Sequence, residues 1–189
     1  SLVPKIIDFG VAKATGQQLT DMTLITQVGH FIGTPAYMSP EQADLNATDI
    51  DTRTDVYALG VILYELLTGV PPFDPRALRN AGLARMREII RKELPPRPST
   101  QLSSINAADA QNIAEARQTQ IDALTGVLRK ELEWIPLKAL KKQRNERYNS
   151  SQNMGDDIRR YLSGEALKAG PDSSIYKLTK AIKRNKGKY

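Results

Sequence analysis

Residues 55–68, DVYALGVILYELLT, decide the fold. Val56, Tyr57, Leu59, Val61, Ile62, Leu63, Leu66 and Leu67 fall on nearly every side of a helix with about 3.6 residues per turn. A helix without a polar face belongs in the middle of a domain. Gly69 stops it, and Pro71 and Pro72 reinforce the stop. Gly60 inside it costs about 1 kcal/mol against alanine, which points to another backbone passing close by. The apolar run ends at Val70 and contains Glu65, so it is too short and too polar to span a bilayer.

Working outward, residues 4–7 read as a short strand. The polar, threonine-rich stretch from Gly10 to about Phe31 reads as a long loop, a feature commonly tied to function. Ser39 to Asp44 suits a short helix, with Ser39 as N-cap, Pro40 at the first position and Glu41 in the first turn. Downstream, Arg76 to Lys92 is an amphipathic helix ended by Pro95, Pro96 and Pro98. Ser99 to about Gln120 is polar and alanine-rich and reads as a linker. Leu128 to Lys142 reads as a helix with Pro136 inside it. Proline costs about 3 kcal/mol in a helix interior, so a kink or a fresh start is expected there. Ser150 to Leu162 makes a last helix, capped by Ser150 or Ser151 and stopped at Gly164.

At 189 residues the chain suits one domain or a large part of one, and 40% hydrophobic with 25% charged residues places it among globular proteins. It has no cysteine, which excludes disulfides, zinc–thiolate sites and thiol nucleophiles. The single histidine, His30, reads as a solvated loop residue and argues against a histidine metal cage or a Ser-His-Asp triad. The net charge of +6 gathers at the C-terminus, where Lys177, Lys180, Lys183, Arg184, Lys186 and Lys188 occur without an acid. A solvated tail is the ordinary reading of such a run. An anionic membrane surface or a nucleic acid is the functional one. No aromatic-rich basic surface accompanies it, so no nucleic-acid partner is expected.

Three blocks occur in order: Asp8-Phe9-Gly10, then Gly33-Thr34-Pro35-Ala36-Tyr37-Met38-Ser39-Pro40-Glu41, then Asp55-Val56-Tyr57-Ala58-Leu59-Gly60. Together they resemble the C-terminal lobe of a protein kinase, and more closely the bacterial eukaryotic-like (Hanks-type) serine/threonine kinases. The likeness runs from about Pro4 to Leu162. It implies a mainly α fold, a kinase C-lobe fragment with helices around a buried central helix 55–68, one short N-terminal strand and a long activation loop. Residues 1–165 would be the partial kinase domain and 166–189 a basic C-terminal tail.

The resemblance gives each block a task. Asp8, at a strand exit, would hold Mg2+ against the ATP phosphates, with Ile7 beside the cofactor; Phe9 and Gly10 would let the triplet switch states. Asp-Phe-Gly alone is a weak signal, and the second block is the specific one. It would form the floor under the substrate, with the Thr34 hydroxyl bonded to a catalytic base that this chain does not carry. Ser39-Pro40-Glu41 stands where the family has Ala-Pro-Glu, and its glutamate would pair, buried, with Arg147 of RNERYNS. Asp55 would receive backbone donors from the catalytic loop; read by itself, it is an acid favoured at a helix N-terminus. Thr26 first, then Thr23 and Thr20, are candidate activation-loop phosphosites. The floor motif favours serine/threonine over tyrosine substrates.

The family's Gly-rich phosphate lid, strand lysine and His-Arg-Asp loop are absent from these residues. The chain is therefore expected to be a piece of a longer kinase that phosphorylates serine or threonine of protein substrates with ATP and Mg2+. The piece alone is expected to be inactive, marginally stable and left with an uncovered apolar face. The alternative is a non-catalytic pseudokinase or scaffold module; the presence of Asp8, Glu41 and Arg147 favours the enzyme. By the same resemblance the kinase domain would be cytoplasmic, with a membrane anchor in a segment beyond Tyr189 as one arrangement of the parent.

Overall fold

A computed structural model describes residues 35–44 and 50–186, and every regular element among them is helical. The expected strand at 4–7 and the loop from Gly10 to Phe31 lie outside the described residues.

Helix α1, Arg53–Thr68, is the axis of the fold. Val56, Tyr57, Val61 and Tyr64 are buried along one side of it. It ends at Gly69, whose left-handed backbone (φ 80°) directs its N–H to the Glu65 carbonyl at 2.7 Å. Two clusters grow from its buried side. Val56 packs with Ile135, Ala139, Tyr148, Met154 and Leu167. Tyr57, Val61 and Tyr64 pack with Leu140, and Tyr37 leans on them. The opposite side is open: Leu59, Ile62 and Leu66 are exposed. The helix that reads as apolar all round is thus covered on one face only among the described residues.

The glycine inside α1 has its reason. A Cβ built on Gly60 would lie 2.7 Å from the Ala139 Cβ and 3.4 Å from the Ala139 carbonyl carbon. Helix α7, Trp134–Ala139, crosses α1 at this point and leaves no room for a methyl group. Gly60→Ala is expected to destabilise the fold by about 1–3 kcal/mol, despite alanine's better helix propensity. Urea unfolding checks this; a stability gain would mean that the two backbones do not approach so closely.

Downstream of α1 the helix bounds differ from the sequence expectation. The single helix over Arg76–Lys92 is two, α2 (Pro75–Asn80) and α3 (Gly82–Lys92). Gly82 sits at φ +75°, a conformation that cannot continue a right-handed helix, and a continuous amphipathic pattern hides the break. The linker over Ser99–Gln120 holds two helices, α4 (Pro98–Ser104) and α5 (Ala107–Ala116), before α6 (Ile121–Val127). Pro98, read as part of a stop signal, instead opens α4 at its first turn. Few apolar residues mark this region, but Leu102 and Ile113 are buried together with Leu128. The fresh start expected near Pro136 is present, two residues earlier than Pro136 itself: the segment continues from α6 as a π-helical turn, Leu128–Leu132, and begins again as α7 at Trp134. Pro136 is the third residue of α7, where a backbone donor would find no partner, so it costs little there. At the junction the buried Glu133 carboxylate accepts from the Ser99 N–H at 3.1 Å, which fastens the start of α4.

Helix α8, Ser151–Leu162, is capped as expected: the Ser150 Oγ accepts from the Asn153 N–H at 3.2 Å. It is not the last helix. The buried Asp157 carboxylate accepts from the N–H groups of Lys168 (2.7 Å) and Ala169 (2.8 Å) and from the Tyr148 hydroxyl (2.8 Å). These bonds fold the chain back on itself and lead it into α9, Ser174–Lys186.

Candidate functional site

The second sequence block is held down by short-range and long-range contacts together. Pro35–Tyr37 forms a single 3-10 turn. The Tyr37 hydroxyl donates to Glu65 Oε2 at 2.6 Å, so the turn is pinned to α1. That bond, together with burial, raises the phenol's pKa. Ser39 and Gln42 cap each other: the Ser39 N–H donates to Gln42 Oε1 at 2.9 Å and the Gln42 N–H to Ser39 Oγ at 3.3 Å. The short helix expected over Ser39–Asp44 is a capped turn instead, closed by the Ala43 N–H on the Ser39 carbonyl at 3.0 Å.

This turn aims Glu41 inward, where it meets Arg147. Both guanidinium nitrogens donate to it, Nη1 to Oε1 and Nη2 to Oε2, each at 2.7 Å. The Arg147 side chain is fully buried and Glu41 nearly so. Every remaining donor of the arginine is used: Nε bonds the Lys141 carbonyl at 2.7 Å, Nη2 the Lys142 carbonyl and Nη1 the Arg53 carbonyl, both at 3.1 Å. The Tyr57 ring lies under the guanidinium, 5.1 Å from its centroid. Thr54 completes the carboxylate's shell, its hydroxyl donating to Oε1 at 2.8 Å. A buried charge pair gains from such full satisfaction, since each unbonded lone pair or N–H would carry a desolvation penalty.

Burial by itself would raise the pKa of Glu41, but the bonds from Arg147 and Thr54 outweigh it and hold the carboxyl below its usual range. A depressed folded-state value sets the sign of the pH effect. Above the ordinary value of 4.5 the clamp contributes in full; as pH falls, the unfolded chain takes up its proton first and stability drains away. Stability measured by urea midpoint is therefore expected to fall below about pH 4.5. Glu41→Gln, which has no charge to lose, should show a shallower fall; an identical slope in the variant would place the acid sensitivity elsewhere.

A second tie runs alongside. Asp51, just ahead of α1, takes the Arg53 side chain and also Arg144 Nη1 at 3.2 Å. The hydrogen bond from Arg53 holds this carboxyl down at about 2. The segment 144–147 is thus anchored to the start of α1 from two sides. Nothing in the sequence singles out Asp51, Thr54 or Tyr57 as parts of this arrangement; only the Glu41–Arg147 pair is legible beforehand.

Asp55 lies at the exposed N-terminal edge of α1, on the open side with Leu59, Ile62 and Leu66. Ile7, Asp8, Phe9, Gly10, Thr20, Thr23, Thr26 and Thr34 lie outside the described residues. Among the described residues no group of three or more histidine, aspartate or glutamate side chains could hold a metal.

The clamp joins residues 106 positions apart. Residues 2–157 match the protein kinase domain family. The chain belongs to that family. As a protein kinase domain it is 34% identical over 165 residues to the serine/threonine-protein kinase PknB of Mycobacterium leprae, covering 87% of this chain and 21% of that protein. It is 37% identical over 135 residues to the serine/threonine-protein kinase pkn3 of Myxococcus xanthus, covering 64% and 23%. A probable serine/threonine-protein kinase of Streptomyces coelicolor is 34% identical over 165 residues, covering 87% and 20%. The kinase chain thus spans about a fifth of the length of these curated relatives. Its bacterial, Hanks-type character and its C-lobe architecture agree with the sequence reading. No helix among the described residues is long and apolar enough to cross a membrane.

Proposed function

We propose that this chain is the substrate-side lobe of a protein serine/threonine kinase that transfers the ATP γ-phosphate to serine or threonine hydroxyls of proteins. The observation that carries the reading is the bidentate, fully bonded Glu41–Arg147 pair directly after the Gly-Thr-Pro-Ala-Tyr motif. It gives the described part of that block, residues 35–41, a firm base, and a phosphoryl acceptor needs one because this chemistry is mostly positioning and charge neutralisation. Residues 1–165 are the partial kinase domain and 166–189 a basic segment following it. In this reading Asp8, with Ile7 beside it, serves ATP and Mg2+, Phe9 and Gly10 form its hinge, and Thr34 supports the base. Asp55 anchors the catalytic loop from the open edge of α1, and phosphorylation of Thr26, or of Thr23 or Thr20, orders the activation loop. The kinase domain works in the cytoplasm, and an anchor beyond Tyr189 would hold the whole protein at the inner membrane.

The test is magnesium-dependent phosphate transfer from ATP to a generic basic protein substrate by the full-length protein, with phosphoamino-acid analysis of the product. Phosphoserine or phosphothreonine is the expected product. ATP binding without transfer would favour the scaffold reading instead, and phosphotyrosine as the main product would overturn the specificity.

A further inference from the structure

Helix α9, Ser174–Lys186, is amphipathic with its faces reversed relative to a packed globular helix. Its polar side meets the protein. Tyr176 donates to Glu131 Oε2 at 2.9 Å, accepts from the Leu167 N–H at 3.1 Å and stands edge-on to Trp134 with ring centroids 5.6 Å apart. Lys180, one turn further on, pairs with the same Glu131, and Arg184 pairs with Glu165 at 3.3 Å. The apolar side faces outward: Ile175, Leu178 and Ile182 are 78%, 61% and 47% exposed. At about 100° per residue these three fall within an arc of roughly 60°, so they form one stripe rather than scattered contacts.

A helix that spends its polar residues on its own protein and holds an isoleucine–leucine stripe away from it has been given a different neighbour. The charge says which. From Ser174 to Lys186 the helix has no acidic residue, and the exposed Lys177 and Lys183 lie on either side of the docked face. Two copies of α9 laid stripe to stripe would set lysine against lysine, and three aliphatic side chains supply far less area than the roughly 800 Å² per partner of a stable protein interface. A weakly apolar stripe joined to a high positive charge matches an interfacial helix, in which shallow insertion and attraction to anionic lipid headgroups act together.

We propose that α9 lies flat on an anionic bilayer, inserting Ile175, Leu178 and Ile182 among the headgroups while Tyr176, Lys180 and Arg184 keep it docked on the kinase lobe. The site belongs to this chain itself and does not depend on phosphotransfer or on any membrane span.

The test is co-sedimentation of the kinase domain of the full-length protein, carried through to Tyr189, with vesicles of phosphatidylcholine alone or mixed with phosphatidylglycerol. Binding to the mixed vesicles is expected to exceed binding to phosphatidylcholine by about tenfold or more and to weaken as salt is raised. The triple variant Ile175→Ser, Leu178→Ser, Ile182→Ser and the double variant Lys177→Glu, Lys183→Glu should each lose most of this binding while keeping the wild-type circular dichroism. These positions are exposed, so the fold should tolerate the changes. Binding that survives the triple variant, absence of binding to mixed vesicles, tighter binding to duplex DNA than to vesicles, or a wild-type dimer that the triple variant abolishes would each overturn the proposal.

Discussion

Replacing Arg147 by methionine is expected to destabilise the fold by about 3–5 kcal/mol. The substitution leaves Glu41 buried with one remaining side-chain donor, Thr54, and takes a charged donor away from the carbonyls of Lys141, Lys142 and Arg53. Most of the loss comes from the uncompensated carboxylate rather than from a large net strength of the pair, since charges brought out of water regain little more than they gave up. The corresponding fall in melting temperature is roughly 6–20 °C for a domain of this size. Arg147→Lys should recover little of it. An ammonium cannot reach both carboxylate oxygens and three backbone carbonyls at once, and it would lose the guanidinium's contact over the Tyr57 ring. A lysine variant as stable as the wild type would show that the geometry of the fork is immaterial.

In the full-length kinase, Asp8→Asn is expected to lower magnesium-dependent phosphate transfer by at least about 10²–10³-fold, since losing one group that neutralises transition-state charge has an effect of that order. Asparagine keeps the size and one oxygen but removes the negative charge that, in the proposed reading, would hold a divalent cation. The melting temperature of the variant, measured alongside, separates a loss of phosphate transfer from a loss of fold. Radiolabel transfer at saturating ATP measures the loss. Undiminished transfer would remove Asp8 from the metal site and with it the reading of the first block.

The parts of this fold that were legible in the sequence are those where one physical signal dominates. Eight apolar residues crowd one stretch of α1, and a glycine followed by prolines ends it. Serine before a polar helix marks α8. The Glu41–Arg147 contact became legible through the family motif and through nothing in the pattern of charges, because a glutamate and an arginine this far apart carry no local signal of their burial. The failures share a cause in weak or competing signals. The α2–α3 break rests on one glycine at positive φ inside a run that keeps its helical period. Helices α4 and α5 are short and mostly polar, and each buries one large aliphatic side chain, Leu102 or Ile113, which propensity reasoning reads as background. The sequence of α9 leaves a solvated tail and an anionic surface both open, because its lysines mask the stripe of Ile175, Leu178 and Ile182. The open side of α1, with Leu59, Ile62 and Leu66, agrees with the expected uncovered face, although the helix looked uniformly apolar.

The most direct test of this account is a double-mutant cycle on the clamp, with Glu41→Gln, Arg147→Met and the two combined, each followed by urea unfolding. Two charges that bond each other in a buried site must depend on each other, so the combined variant should be at least about 2 kcal/mol less damaged than the sum of the single losses. Losses that add to within about 0.5 kcal/mol would mean the two residues do not meet, and the proposed substrate floor would lose its base.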